Sequence, residues 1–157
     1  MMPEQAPDEL AAREVTIKRH LLAAPDVVWA AWTQPWQFAR WFGTPPFSTP
    51  ASTVGMDLKV GGQWHATQVS SDGETELPFV GVYRELDEPS RLVFTFENPG
   101  DRSDPNVELV TVTLERAADG TDMTLHQVGH MPADQYPLLA EGYSQFFDRL
   151  EQHLATP

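Results

Sequence analysis

The segment APDVVWAAWTQPWQFARWFG, from Ala24 to Gly43, constrains the fold most, because it contains four of the five tryptophans. Pro25 and Pro35 each suit the first position of a helix, where no N–H is needed and φ is already set. Apolar residues recur at helical spacing after each proline, and Gly43 offers a helix C-cap. The pattern predicts two short helices joined by a tight corner. Helices of this length are unstable alone in water, so their aromatic faces must pack on a larger body.

Length and composition predict a single globular domain. The chain has 157 residues, of which 41% are hydrophobic, which is enough to build a sizeable core. We expect a flexible tail over residues 1–13 and one domain over residues 14–157. The absence of cysteine excludes disulfides, thiolate chemistry and cysteine-based metal sites. No apolar run is long enough for a membrane span, and the N-terminus lacks signal-peptide features, so we expect a cytoplasmic protein without membrane insertion.

The charge balance argues against nucleic acid as a partner. Ten lysines and arginines stand against 23 acidic residues, for a formal net charge of −13. Nucleic-acid-binding proteins usually present a basic face to the phosphates. The same charge disfavours anionic membrane surfaces. Solubility through self-repulsion is the simpler interpretation, and a basic partner is the alternative.

Period-two alternation of apolar and polar residues dominates the remainder of the chain. The predicted strands are 14–22, 53–60, 63–69, 76–86, 91–97, 107–116 and 121–128. Asp72-Gly73 and Asp119-Gly120 are strong signals for tight hairpins. Consecutive strands joined by hairpins form an antiparallel meander, one face of which must be covered.

The C-terminal segment supplies the cover. Its apolar residues recur at three- and four-residue spacing and predict an amphipathic helix of at least four turns. They are Leu139, Tyr143, Phe146, Phe147, Leu150 and Leu154. The predicted fold class is α+β: a curved antiparallel sheet of about six to seven strands wrapped around a long final helix, with two short helices after the first strand.

Signals for catalysis and for metal binding are weak. The five histidines lack the HExxH pattern, and zinc sites need three or four clustered ligands. No serine lies in a GxSxG elbow, and no pair of acids is placed for general acid–base work. The sequence therefore predicts no catalytic residue, no metal and no cofactor, and an enzyme is the less favoured interpretation.

Several short motifs, in their order and spacing, resemble one known family. They are Val28-Trp29-Ala30-Ala31-Trp32-Thr33 with Pro35, Arg40-Trp41-Phe42-Gly43, Val60-Gly61-Gly62-Gln63-Trp64, Gly81-Val82-Tyr83 with Leu86, Pro89 with Arg91-Leu92-Val93-Phe94, and Glu141-Gly142-Tyr143 with Leu150. Over roughly Glu14 to Leu154 the chain resembles homologues of the activator of heat-shock protein 90 ATPase, in the START/Bet v 1-like (SRPBCC) superfamily. In the last motif, Tyr143 replaces the family's tryptophan.

The resemblance implies a helix-grip fold whose sheet and long helix enclose an apolar cavity. In various superfamily members this cavity holds lipids, sterols, polyketides or other hydrophobic compounds. Binding of a small hydrophobic molecule is therefore the expected function. A chaperone-interacting protein is the second interpretation, although 157 residues leave no room for the additional N-terminal domain of the eukaryotic cochaperone. A cyclase- or hydrolase-type enzyme comes last.

The candidate ligand-binding residues are aromatic side chains on the faces expected to meet the last helix, together with a few polar groups. Gln68, Gln127, Tyr83 and Tyr143 are the polar candidates, because a mostly apolar pocket needs a few such groups for specificity. The full set is Trp41, Phe42, Phe47, Trp64, Gln68, Phe79, Tyr83, Phe94, Phe96, Gln127, Tyr143, Phe146 and Phe147. The sequence leaves both a monomer and a homodimer open.

Overall fold

The computed structural model describes residues 13–156. The flexible tail predicted for residues 1–13 lies outside the described residues, except for Arg13. The helices and strands in chain order are β1 (Glu14–Leu21), α1 (Pro25–Thr33), α2 (Pro35–Trp41), β2 (Gly55–Met56), β3 (Gln63–Val69), β4 (Glu76–Asp87), β5 (Arg91–Phe96), β6 (Glu108–Ala117), β7 (Gly120–Val128) and α3 (Tyr136–Ala155).

All seven strands join one antiparallel sheet in the order β1-β7-β6-β5-β4-β3-β2. Strands β2 to β7 form a meander. The first strand, β1, lies at the edge of the sheet and pairs with β7, with Glu14 opposite Val128 and Leu21 opposite Thr121. The sheet is curved, and the long helix α3 packs on its inner face. This arrangement confirms the predicted α+β helix-grip fold.

The tryptophan-rich segment forms the two predicted short helices. The amide of Gln34 donates to the Ala30 carbonyl and ends α1, and Pro35 begins α2. The Trp41 indole Nε1 donates to the Ala31 carbonyl at 2.9 Å, which ties the second helix back to the first. Trp36 is the exception among the four tryptophans of this segment, with 56% of its surface exposed.

Helix α3 is held on the sheet by an apolar face and by a charged contact. Phe147 and Leu150 are fully buried. On the neighbouring strand β1, the Arg19 guanidinium donates to Asp148 at 3.0 Å and to Glu151 at 2.7 Å. The helix begins at Tyr136, before the first predicted apolar position, because Pro137 suits its first turn.

The strand predicted over residues 53–60 is wrong in its extent. Only Gly55–Met56 pair with β3. Before them the chain makes a single 3-10 turn, and the Thr53 side chain bonds the backbone of Thr67. After them the Gly62 amide donates to the Lys59 carbonyl in a tight turn. Over most of residues 53–60, side-chain hydrogen bonds and turns thus take the place of the strand pairing that the apolar alternation predicted.

A tightly packed aromatic cluster fills the part of the interior between the two short helices and the middle of the sheet. The rings of Trp32 and Trp41 meet edge to face at 4.7 Å, and Trp32 lies 6.3 Å from Phe147. The indole of Trp64 donates to the Thr95 carbonyl at 3.1 Å. Because each of these rings has partners on several sides, this part of the interior holds no large space. Within residues 13–156 no helix is long and apolar enough to cross a membrane.

Candidate ligand-binding cavity

A cavity of about 600 Å³ lies at the other end of the sheet. The end of β3, the start of β4, the end of β5, the start of β6 and the end of β7 meet there, under the first half of α3. Its apolar wall is formed by Phe42, Pro78, Phe79, Phe96, Pro99, Met131, Leu138, Leu139 and Phe146. Leu138 is 58% exposed, so the cavity opens to solvent beside the first turn of α3.

Seven of the thirteen predicted site residues line this cavity. They are Phe42, Gln68, Phe79, Phe96, Gln127, Tyr143 and Phe146. Strand alternation had placed Gln68 and Gln127 on the inner face, and both are almost completely buried there.

The other six predicted residues lie elsewhere. Trp64, Tyr83 and Phe94 surround a void of only about 10 Å³, because the aromatic cluster fills the middle of the sheet. Trp41 and Phe147 belong to the same cluster. Phe47 is half-buried in the loop after α2, where its carbonyl accepts a hydrogen bond from Arg149 at 3.1 Å.

Gln68 contributes a side-chain amide to the mostly apolar cavity wall. Only 4% of its surface is exposed, and its side-chain amide forms no hydrogen bond to any other residue between 13 and 156. The side chain lines the cavity. Its amide atoms reach the open space of the cavity and are not among the fully enclosed polar atoms of residues 13–156 that lack a partner. Gln68 therefore offers a donor and an acceptor to a molecule in the cavity.

A hydrogen-bonded network forms the opposite polar wall. The Tyr143 hydroxyl donates to Gln127 Oε1 at 2.5 Å, and Gln127 Nε2 donates to Glu108 Oε1 at 3.0 Å. The same carboxylate accepts the Tyr136 hydroxyl at 2.9 Å and the backbone amide of His130 at 2.7 Å. Of these residues, Tyr136 alone is absent from the cavity wall.

Sequence reasoning missed Glu108. It shares strand parity with Val110, Val112 and Leu114, which predicts that its side chain faces inward, and only 9% of the residue's surface is exposed. An acid on an apolar face was the available signal, since buried carboxylates need several hydrogen-bond donors.

The two tyrosines of the network are held in the neutral form. Burial raises the pKa of Tyr143 well above its usual value, and the Glu108 charge raises it further. Burial, followed by the hydrogen bond to Glu108, raises the pKa of Tyr136 to about 12. Both phenols therefore keep their protons at neutral pH and act as hydrogen-bond donors.

A glycine makes room for the carboxylate. A Cβ atom on Gly129 would lie 1.8 Å from Glu108 Oε2. No side chain fits in that distance, so the position of Glu108 depends on the lack of a side chain at residue 129. Over residues 13–156, no group of three or more His, Asp or Glu side chains is arranged to hold a metal ion.

Comparison with solved structures shows the same fold in several bacterial proteins. Protein NE0264 from Nitrosomonas europaea is 26% identical, with a TM-score of 0.78 over 92% of this chain and 96% of that one. A protein from Arthrobacter aurescens is 24% identical, with a TM-score of 0.79 over 94% of this chain and 89% of that one. An AHSA1-like protein from Aeromonas hydrophila is 24% identical, with a TM-score of 0.73 over 88% of this chain and 92% of that one.

Among curated proteins, none matches this sequence. The family described as "Activator of Hsp90 ATPase homolog 1-like protein" matches residues 22–155. That range takes in both short helices, strands β2 to β7 and all of α3. The chain therefore belongs to the family of activator of Hsp90 ATPase homolog 1-like proteins.

Proposed function

We propose that this protein binds a small hydrophobic molecule in the cavity beneath α3. The observation that carries the proposal is the volume of about 600 Å³, which lies within the range of roughly 300–1,000 Å³ typical of small-molecule sites. Phenylalanine, leucine and methionine side chains dominate its wall. Apolar surface facing an unfilled cavity loses the contacts that a packed core would give it, and an apolar ligand restores them.

The buried part of the wall also has a few polar groups of the kind that such sites use to orient a ligand. Gln68 lacks a partner among the described residues, and the network of Tyr143, Gln127 and Glu108 faces the same space.

Titration with Nile red, a neutral apolar fluorophore, tests the proposal. Gly142 lines the cavity, and a Cβ atom at this position has no heavy atom within 4 Å. Gly142→Leu therefore starts from a Cβ atom in open space and places an isobutyl group on the cavity wall, where it takes up part of the volume. Gln145→Leu is the matched control, because it adds the same side chain to an exposed position of α3 outside the cavity.

The wild type and Gln145→Leu are expected to bind Nile red with the same affinity, and Gly142→Leu is expected to bind it at least about tenfold more weakly. Circular dichroism would show that all three proteins are folded. Equal binding by all three would place the dye on the surface and contradict the proposal.

Interaction with a chaperone is the second candidate, and the family description favours it. An acidic surface, with a net charge of −13, suits a basic patch on such a partner. The test is the ATPase rate of a heat-shock protein 90 with and without this protein, at low and high salt. Stimulation that weakens with salt would support the interaction, and an unchanged rate would contradict it.

A further inference from the structure

The polar wall of the cavity has a fixed hydrogen-bonding direction. A carboxylate only accepts hydrogen bonds, and Glu108 accepts three, from Gln127, Tyr136 and the His130 amide. The Tyr136 hydroxyl itself receives the Met131 amide at 3.3 Å, which leaves its proton for Glu108.

Glu108 in turn orients the side-chain amide of Gln127. Its NH₂ group must face the carboxylate, so its carbonyl oxygen must face Tyr143. The Tyr143 hydroxyl therefore donates its only proton to Gln127 Oε1, at 2.5 Å. What remains at Tyr143 is an oxygen with free lone pairs, which can accept a hydrogen bond from a ligand and cannot donate one.

The unpartnered amide of Gln68 differs from Tyr143 because it can donate and accept. It serves a hydroxyl, an amide or a ketone equally well. Asn98, Asn106, His130 and Gln135 also line the cavity, but they are exposed, so a ligand group beside them keeps water as an alternative partner. Among the buried polar groups of the wall, the Glu108–Gln127–Tyr143 side has the fixed direction, and discrimination between ligands depends on it. The Glu108 charge also disfavours an anion in the same cavity, because like charges repel.

Resting on the proposed binding function, we propose that the cavity selects neutral apolar molecules that carry a hydroxyl or N–H donor, which bonds the Tyr143 hydroxyl oxygen. Ketones and ethers of the same skeleton, and fatty acids as carboxylates, are expected to bind more weakly.

Displacement of Nile red by three probes of equal chain length tests this selectivity: 2-decanol, 2-decanone and decanoate, at mildly alkaline pH. The alcohol is expected to displace the dye at a concentration at least about fivefold lower than the ketone, the ratio that one hydrogen bond supplies. Decanoate is expected to be the weakest competitor.

Two variants are designed to free the Tyr143 proton, so that its hydroxyl can donate to a ligand. Glu108→Gln keeps the shape but supplies an NH₂ group, so the amide of Gln127 can turn over and free the Tyr143 proton. Gln127→Leu removes the acceptor and frees the same proton. In each variant the ketone is expected to gain affinity, and the alcohol-to-ketone ratio is expected to fall to about two or less. Gln68→Leu is the control, since it weakens both probes and leaves their ratio unchanged.

The outcomes separate this inference from the proposed function. Nile red has no hydrogen-bond donor, so weak binding of the dye alone would agree with the selectivity. If neither Nile red nor 2-decanol binds the wild type, the second measured by native mass spectrometry, the binding function itself fails. If Nile red binds but the ketone or decanoate competes as well as the alcohol, the selectivity is wrong. An alcohol preference that persists in both folded variants would also overturn it, because the preference would then not depend on the direction of the network.

Discussion

Two glycines, Gly81 and Gly142, lie in opposite surroundings. A Cβ atom on Gly81 would lie 1.7 Å from the Thr95 carbonyl oxygen and 2.5 Å from the Trp64 indole nitrogen. A Cβ atom on Gly142, in helix α3, would meet no heavy atom within 4 Å. The first glycine permits a close approach between strands, whereas the second lies beside an empty space.

Alanine at these two positions is therefore expected to have opposite effects on the free energy of unfolding. Gly81→Ala must displace backbone and is expected to cost about 3 kcal/mol or more. Gly142→Ala restricts the unfolded chain and is expected to add about 0.5–1 kcal/mol. Urea denaturation of both variants measures the difference. Equal changes in the free energy of unfolding would contradict the inference that Gly81 is tightly packed and Gly142 is not.

The raised pKa of Tyr136 predicts a specific dependence of stability on pH. Its pKa moves from 10.0 to about 12 on folding, so between these values the folded state keeps a proton that the unfolded state has lost. The contribution of Tyr136 to the free energy of unfolding is fully present below pH 10 and is lost as the pH rises to about 12.

Tyr136→Phe removes this titration. Urea denaturation over the same pH range is expected to show a shallower loss of stability in the variant than in the wild type. At neutral pH the variant is expected to be less stable by about 1–3 kcal/mol, because Glu108 loses a donor. Parallel curves for the two proteins would show that the proton of Tyr136 does not contribute.

At the scale of elements, the docking of α2 depends on one of its tryptophans and not on the other. Trp41 is 1% exposed and donates to the Ala31 carbonyl, whereas Trp36 is 56% exposed. Trp41→Ala is expected to lower the free energy of unfolding by about 3–5 kcal/mol. Trp36→Ala, the matched control, is expected to change it by no more than about 1 kcal/mol. Similar losses in the two variants would mean that α2 is not held by Trp41.

The sequence predicted elements well where local chemistry defines them. Pro25 and Pro35 begin the two short helices, and the period-two alternation locates β3 to β7. It failed over residues 53–60, where the apolar pattern continues but Thr53 bonds Thr67 through its side chain and the chain turns. Periodicity reports which face a residue occupies and does not report whether a partner strand is present.

Because periodicity reports only the face that a residue occupies, it could not predict which inward-facing residues line the cavity. Trp64 and Gln68 share one face of β3, and both are buried. Only Gln68 reaches the cavity, because Trp64 is enclosed by Phe94 and Phe96 at 5.5 and 5.3 Å. The position along a strand at which packing ends depends on the helices above it, and the alternation pattern carries no information on that.

At the scale of the whole molecule, the interior has a packed region and an open one. Aromatic rings from α1, α2 and the middle strands fill the first, and the second keeps an open volume of about 600 Å³. The fully buried aromatic residues lie mostly outside the cavity wall, and Phe42 and Tyr143 belong to both. Substitutions in the cavity wall, such as Gly142→Leu, are expected to change binding while the core remains intact.

Native mass spectrometry of freshly purified protein, compared with its denatured mass, tests the central claim most directly. The wild type is expected to carry a releasable adduct of a few hundred daltons, of a neutral compound with a hydroxyl or N–H group, and Gly142→Leu is expected to lack it. After the protein is incubated with 2-decanol, the same difference is expected for that probe. An adduct retained equally by Gly142→Leu, or a wild type that holds neither a native adduct nor 2-decanol, would contradict a ligand-binding cavity.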